Sequence, residues 1–273
     1  METILANWPL IVGLAGAGLL AGLAAGLLGV GGGAVIVPAL FLIFTELGYG
    51  DTAMHVATGT SLSTIILTSL RSVMAHHQRG AVDWAILKAW APWIIVGAVA
   101  GRAVAGQLSA NGLTMVFGAV AFLISLQFFF GRPNWRLFED MATGPIRWGL
   151  GSAMGTLSSL MGIGAGTFGV TLMTVSGRPI HQAVGTAAGM GLAIGVPGAI
   201  AAVIEGWGRS GLPAGSLGHV NIVAFAFISI LTVTMAPIGA RFAHSLDAAK
   251  LRRVFAVLLA IVAARMIWSV ISG

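Results

Sequence analysis

The sequence of 273 residues contains no cysteine, one tyrosine and only 8% charged residues. The absence of cysteine excludes disulfides, thiolate metal sites and thiol catalysis. The charged fraction lies far below the roughly 25% of soluble domains. Hydrophobic residues make up 57% of the chain, and the mean hydropathy is +0.96. These values predict an integral membrane protein.

Apolar runs separated by short polar loops recur from Trp8 to the C-terminus. Blocks of about 20 residues predict α-helices rather than the alternating strands of a barrel. We expect five helical segments in each half of a single transmembrane domain over residues 1–273. The segments are about 8–28, 33–45, 54–76, 84–105 and 112–130, then 146–161, 166–177, 181–204, 220–243 and 251–271. The second segment of each half is short, so it either crosses the membrane or re-enters it.

The two halves resemble each other in sequence. Four elements align in the same order: Leu28–Gly33 (LGVGGG) with Met161–Gly166 (MGIGAG), His55–Thr60 (HVATGT) with His181–Thr186 (HQAVGT), Arg102 with Arg241, and Phe117 with Phe255. Each match is weak in a chain so rich in glycine and alanine, but their shared order predicts an internal duplication. Paired glycine-interrupted segments are typical of the substrate site of a transporter built from repeats.

The distribution of basic residues predicts opposite orientations for the two repeats. In the first half they flank the loop after the third segment, and in the second half they flank the loop after the fourth segment. Basic loops are typically cytoplasmic. The expected architecture is therefore all-α, with two inverted-topology repeats at about 8–130 and 147–271 and glycine-broken helices at their interface. A cytoplasmic connection at about 131–146 joins them, and both termini are expected to be periplasmic.

The glycine runs, the ATGTS element at Ala57–Ser61 and the arginine pair resemble the sulfite exporter TauE/SafE family, also called the toluenesulfonate uptake permease family. The resemblance covers essentially the whole chain. The second copy departs from the first at Ala165 and at Thr171, which stands where the first half has Pro38. The resemblance implies a multi-pass transporter of sulfite, thiosulfate or sulfonates such as sulfoacetate in the bacterial inner membrane. It leaves the substrate and the direction of transport open.

A helix that restarts after a glycine run presents free backbone N–H groups and a positive dipole end to an anion. Hydroxyl groups nearby can donate further hydrogen bonds while staying neutral. The alternatives are that the glycines serve close helix packing and that the hydroxyls bond to their own helix. The predicted substrate-binding residues are Gly31, Gly32, Gly33, Ala34, Thr58, Gly59, Thr60, Ser61, Gly164, Ala165, Gly166, Thr167, Gly185 and Thr186.

Two matched pairs of titratable or charged residues are further candidates. Arg102 and Arg241 are candidates for attracting or gating anions, because arginine suits oxyanions. The alternative is that both side chains extend from helix ends to the membrane interface. His55 and His181 are candidates for carrying a coupling proton, and the alternative is a plain position at a helix start.

The expected function is secondary transport of small sulfur-containing anions by alternating access. The alternative is a passive anion channel with the same fold. No cluster of nucleophiles, acids or metal ligands indicates an enzyme, and no cofactor or nucleic-acid partner is expected. The expected partners are the anion, the lipid bilayer and a coupling proton or sodium ion, and assembly as a homodimer stays open.

Overall fold

The computed structural model describes residues 8–28, 32–130, 138–243 and 248–272, which form ten α-helices and one antiparallel β-hairpin. All ten predicted segments coincide with helices, with ends that differ by four residues at most. The first half contains α1 (Trp8–Leu28), α2 (Gly33–Glu46), α3 (Gly50–His77), α4 (Trp84–Gln107) and α5 (Ala110–Phe130). The second contains α6 (Gly144–Met161), α7 (Gly166–Val175), α8 (Ile180–Glu205), β1 (Ser216–Leu217), β2 (Val220–Asn221), α9 (Ile222–Ala243) and α10 (Ala248–Ile271).

Four helices in the described part of the chain are long and apolar enough to cross a membrane. They are Trp84–Gln107, Ala110–Phe130, Ile180–Glu205 and Arg253–Ile271. Helix α3 differs from them because it is rich in hydroxyl side chains, yet every residue from Thr52 to Ile65 is buried. It packs against α2, α5, α8, α9 and β2. Protein therefore surrounds the most polar helix and shields it from lipid.

Two helical hairpins carry the glycine breaks. In the first hairpin α1 and α2 run antiparallel, because Gly13 faces Ile43 while Gly32 faces the Ala21 carbonyl. In the second, α6 ends at Met161 and the ten-residue helix α7 begins at Gly166. At its 1.5 Å rise per residue, α7 spans only about half of a 30 Å hydrocarbon core. The second break therefore lies at a turn within the bundle, and the described part of the first break, Gly32 and Gly33, lies at the start of α2.

The helices pack in corresponding pairs. Helix α1 packs against α9, and α6 packs against α4. Likewise α2 packs against α3 and α7 against α8. The remaining large contacts join α3 to α8, α5 to α10 and α4 to α8, and the last of these corresponds to the contact of α9 with α3. Each of the first five helices has a counterpart five positions later in helix order, so that α1 corresponds to α6 and α5 to α10. When every helix is exchanged for its counterpart, each of these contacting pairs becomes another contacting pair or stays the same pair.

The loops gather at two ends of the bundle. Thr52 Oγ1 donates to the Gly211 carbonyl at 3.0 Å, and His55 Nε2 lies 3.1 Å from the Leu108 carbonyl. The loops at 47–49, 108–109 and 206–215 therefore share one end, called here the Arg209 end. At the other, the Arg79 end, Gln182 Nε2 donates to Asp83 Oδ2 at 3.2 Å. The loops at 78–83 and 176–179 meet there.

Helix α10 also begins at the Arg79 end. It runs antiparallel to α5, because Phe128 stacks near Phe255 while Gly118 faces Ile267. Since α5 starts next to the loop at 108–109, its far end and the start of α10 lie together at the opposite end. Arg253 in the first turns of α10 is exposed there.

Small residues allow α4 and α6 to approach closely. A Cβ atom at Gly101 would lie 2.9 Å from the Thr156 Cα atom, and one at Gly151 would lie 2.9 Å from the Trp93 Cβ atom. Thr156 Oγ1 donates to the Gly97 carbonyl across this contact at 3.1 Å. These glycines serve helix packing, as small residues commonly do in membrane bundles.

Candidate functional site

The two glycine breaks meet inside the protein. A Cβ atom at Gly33 would lie 2.7 Å from the Gly162 carbonyl oxygen and 3.0 Å from the Ile163 Cα atom. Ser61 of α3 donates its hydroxyl hydrogen to the same Gly162 carbonyl at 2.7 Å. On its other side Gly162 contacts the Thr58 backbone. The structure thus brings the paired breaks and the hydroxyl-rich part of α3 to one buried place.

Backbone geometry explains why the second copy departs from the first. Gly32 has φ 73°, a left-handed conformation that favours glycine. Its counterpart in the alignment, Ala165, has φ −64°, which any residue adopts. In the second break the left-handed position is Gly162, with φ 66°. The breaks are therefore related in sequence but differ in local geometry.

Both short helices begin at the breaks. Helix α2 starts at Gly33, followed by buried Ala34, and α7 starts at Gly166. The first N–H groups of a helix have no partner within the helix, and the dipole makes that end positive. Gly164 and Ala165 in the second break are buried. Each break therefore ends in a positive helix N-terminus, one at Gly33 and one at Gly166.

Three buried hydroxyls flank the second break. Ser158 and Ser159 lie in the last turn of α6, and Thr167 lies in the first turn of α7. Their side chains are 0%, 0% and 2% exposed. Within the described residues none of the three hydroxyl oxygens has a hydrogen-bond partner. The sequence pattern indicated Thr167 but not the two serines, which only Leu160 and Met161 separate from the glycine run.

The hydroxyls of α3 already have partners. Thr58 donates to the His55 carbonyl at 3.0 Å within its own helix. Thr60 accepts a hydrogen bond from the Asn221 backbone N–H at 2.9 Å. Together with the bond from Ser61 to the break, these contacts give each hydroxyl a structural role.

Equivalent threonines hold equivalent helix starts. Thr186 accepts a hydrogen bond from the Asp83 backbone N–H at 2.9 Å, just as Thr60 accepts one from Asn221. The Asp83 side chain caps α4 by accepting from Ile86, and the Asn221 side chain caps α9 by accepting from Ala224, each at 2.9 Å. We call these two contacts the threonine latches.

The glycine before each threonine makes room for its latch. A Cβ atom at Gly59 would overlap the His219 carbonyl and lie 3.0 Å from its carbon, and one at Gly185 would lie 2.5 Å from the Ala81 carbonyl oxygen. Each half therefore closes on the cap of the other half. Gly185 and Thr186 contact the 78–83 loop, whereas Gly59 and Thr60 contact the β-hairpin.

Arg102 lies at the centre of a buried polar cluster. Its side chain is 0% exposed, so it does not extend to the membrane interface. One terminal nitrogen donates to Glu205 Oε2 at 2.6 Å, and the other donates to Thr58 Oγ1 at 3.1 Å. The Glu205 side chain is 17% exposed. Glu205 lies at the end of α8, and only the folded contact identifies it as the counter-ion of Arg102.

Two histidines extend this cluster toward the Arg209 end. The buried His55 ring lies 5.2 Å from the His219 ring, centroid to centroid. His55 Nε2 contacts the Ala105 and Leu108 carbonyls, each at 3.1 Å. His219 Nδ1 lies 3.9 Å from Glu205 Oε2. His181, the counterpart of His55 in the alignment, is exposed.

A cavity of about 260 Å³ opens beside the histidines at the Arg209 end. Its lining consists of Asp51, His55, Ser109, Ala110, Asn111 and Arg209. It carries both signs of charge and several hydrogen-bonding groups. His55 connects it to the Arg102 cluster. Two predicted positions cannot be placed in this way, because Gly31 and the Arg241 side chain lie outside the described residues.

His219 predicts a pH dependence of stability. Burial, reinforced by His55, Arg102 and Arg209, lowers the pKa of His219 to about 3. The unfolded chain takes up a proton near the ordinary histidine pKa of about 6.5, whereas the folded protein does not until far lower pH. The free energy of unfolding therefore falls as the pH drops below about 6.5. We expect melting temperatures in detergent to decrease between pH 7 and 5, and to decrease less steeply in His219→Gln.

The exposed His181 provides the control for this measurement. His181→Gln should melt with the same pH dependence as the wild type. Identical slopes in wild type and His219→Gln would contradict the prediction.

Comparisons with known proteins agree with the membrane transporter that the sequence predicts. The family model described as sulfite exporter TauE/SafE matches residues 14–266. A "probable membrane transporter protein" of Haemophilus influenzae is 30% identical over 251 residues, which are 91% of this chain and 95% of the relative. Relatives with the same description occur in Xylella fastidiosa (29% identical, 93% of each chain) and Methanocaldococcus jannaschii (25% identical, 81% and 79%). No solved structure matches the chain significantly.

Proposed function

Because this chain belongs to the sulfite exporter TauE/SafE family, it is a membrane transporter, and we propose that it carries small sulfur-containing anions by alternating access. The meeting of the two glycine breaks is the observation that carries this proposal. Two helix N-termini begin at the breaks, and three buried hydroxyls without a partner among the described residues flank the second break, which supports an anion site there. Such a site binds an anion through neutral donors and dipoles, which suits release as well as capture. The family consists of transporters, so we assign no enzymatic reaction.

Two inverted repeats supply the movement in this proposal. The corresponding helix pairs and the two threonine latches support a two-fold relation between the halves. Rocking of one helical hairpin against the other would open the breaks to each face of the membrane in turn. In this arrangement the Arg79 end is cytoplasmic, because Arg79 and Arg253 both lie there. The cavity at the Arg209 end is then the periplasmic entrance of the inner-membrane protein.

Uptake into proteoliposomes tests the function. We expect saturable flux of at least one of sulfite, thiosulfate and sulfoacetate, with taurine and sulfate as comparison solutes. Anion loaded inside the vesicles should accelerate uptake, because a carrier returns faster when it is loaded. A passive channel would conduct without such counter-flow. Absence of flux for all five solutes in folded protein would overturn the proposal.

A matched pair of threonine variants tests the position of the site. Thr167→Val removes an unpartnered hydroxyl at the break, while Thr174→Val on the same helix removes one that bonds to the Val170 and Thr171 carbonyls. A hydrogen bond to a charged group contributes about 1.5–3 kcal/mol. We therefore expect the apparent affinity to fall about tenfold or more in Thr167→Val and to stay unchanged in Thr174→Val. Equal affinities in the two variants would place the anion elsewhere.

A further inference from the structure

The Arg102–Glu205 ion pair has an unusual position for a purely structural contact. Arg102 is fully buried, and its Nε atom has no hydrogen-bond partner within the described residues. Burying such a pair costs much of the energy that the pairing returns. Two apolar side chains would fill the same space at lower cost. The pair therefore fits a role in which one partner is exchanged.

The cluster connects the cavity with the breaks. At one side His55 lines the cavity, and its ring centroid lies 5.2 Å from that of His219. His219 Nδ1 in turn lies 3.9 Å from Glu205 Oε2. At the other side Arg102 donates to Thr58, whose backbone contacts Gly162. An anion that moves from the cavity to the breaks therefore passes Arg102, which is paired with Glu205.

Resting on the proposed function, we propose that Glu205 is the coupling carboxyl of this transporter and gives up Arg102 to the transported anion when it is protonated. The carboxylate of Glu205 takes one proton from the Arg209 end, to which 17% of its side chain is exposed. Arg102 stays protonated throughout and exchanges one negative partner for another. One proton and one anion are therefore bound together, and for a monovalent anion the net charge of the site is unchanged.

The other groups that face Glu205 define the competing explanations. Arg102 on α4 is its ion-pair partner, His219 belongs to the hairpin segment, and His55 lies on α3 beyond it. Asp51 and Arg209 line the adjacent cavity. His55, His219 and Asp51 are the alternative acceptors of the proton. The experiment must therefore separate each of them from Glu205.

Proton uptake on anion binding tests the proposal. Purified protein in weakly buffered detergent receives thiosulfate or sulfoacetate, and a pH-indicator dye reports protons while a separate binding measurement reports anion. If only sulfite is carried in the flux experiment, sulfite is the probe, and its own proton exchange is subtracted with a protein-free blank. We expect about one proton per anion in the wild type, with affinity falling about tenfold per pH unit where Glu205 is ionised.

The variants assign the proton. Glu205→Gln mimics the protonated side chain, so it should bind the anion with affinity independent of pH and without proton uptake. Glu46→Gln, which alters an exposed carboxylate at the same end, should behave as the wild type. His55→Gln, His219→Gln and Asp51→Asn should retain proton uptake. If Glu205→Gln fails to fold, Arg102→Gln/Glu205→Gln should fold and bind no anion, and proton uptake that is retained in all three of the His55, His219 and Asp51 variants then assigns the proton to Glu205.

The outcomes distinguish this inference from the function on which it rests. Anion flux without proton uptake, or proton uptake that persists in Glu205→Gln, would overturn the coupling role and leave the transport function intact. Loss of proton uptake in a histidine or Asp51 variant that still binds anion would assign the proton to that residue instead. Absence of flux for every solute tested would overturn both.

Discussion

Replacing Arg102 with glutamine is expected to abolish transport and to destabilise the protein by about 3 kcal/mol. The substitution leaves the Glu205 carboxylate without its counter-ion in a largely buried position. Breaking a buried pair typically costs about 3–5 kcal/mol, and partial exposure of Glu205 places this case at the lower limit. The Thr58 hydroxyl also loses its donor. Thermal or denaturant unfolding in detergent measures the stability, and proteoliposome uptake measures the transport.

A double-mutant cycle separates the effect of the unpaired Glu205 carboxylate from the other effects of losing the Arg102 side chain. Glu205→Gln in the Arg102→Gln background removes the uncompensated carboxylate, so it should restore most of the stability but no transport. Arg209→Gln, which alters an exposed arginine at the same end, should leave the free energy of unfolding nearly unchanged. Equal stability of Arg102→Gln and wild type would show that the pair does not hold the fold together.

The second large effect is expected from a single added methyl group at Gly33. Its Cβ atom would lie 2.7 Å from the Gly162 carbonyl oxygen and 3.0 Å from the Ile163 Cα atom, and both are backbone atoms that cannot rotate away. Gly33→Ala therefore forces the two breaks apart. Overpacking of this kind costs about 1–3 kcal/mol. We expect a lower melting temperature and loss of saturable anion uptake.

Gly149→Ala provides the matched control, because the same methyl group meets open space on the exposed side of α6. There the change should stabilise the helix by up to about 1 kcal/mol, since alanine favours helix over glycine. Opposite signs for the two substitutions would identify the contact between the breaks as the cause. Normal uptake by Gly33→Ala would contradict a substrate site at this contact.

Much of the fold follows from hydropathy. Every described helix except the polar α3 coincides with an apolar run, because length and composition decide which segments enter a bilayer. The hairpin at 216–221 was missed because two-residue strands in a glycine-rich loop leave no periodic signal. The polar helix α3 was found from its apolar flanks, but its central position required the packing of five neighbouring elements.

The candidate site was predicted only in part. Paired glycine runs indicated the breaks, and the structure brings them into contact. The threonines after Gly59 and Gly185 stay predicted ligands, and the structure adds that each accepts a hydrogen bond from a residue that caps a helix. Glu205 and His219 carried no signal, because each is an isolated polar residue near a loop. Their importance arises from long-range contacts with Arg102 on another helix, which spacing along the chain does not reveal.

The latch between Thr60 and Asn221 has a consequence for biosynthesis. Its two residues are 161 positions apart, so at about 5–20 residues per second the ribosome needs roughly 8–32 s to deliver the second after the first. During that interval α3 can pack against α2 and α5, but α8, α9 and β2 are missing and Thr60 has no Asn221 N–H to bind. Unsatisfied polar groups are costly in hydrocarbon. We therefore expect this face of α3 to stay covered within the insertion machinery until the second half has been translated.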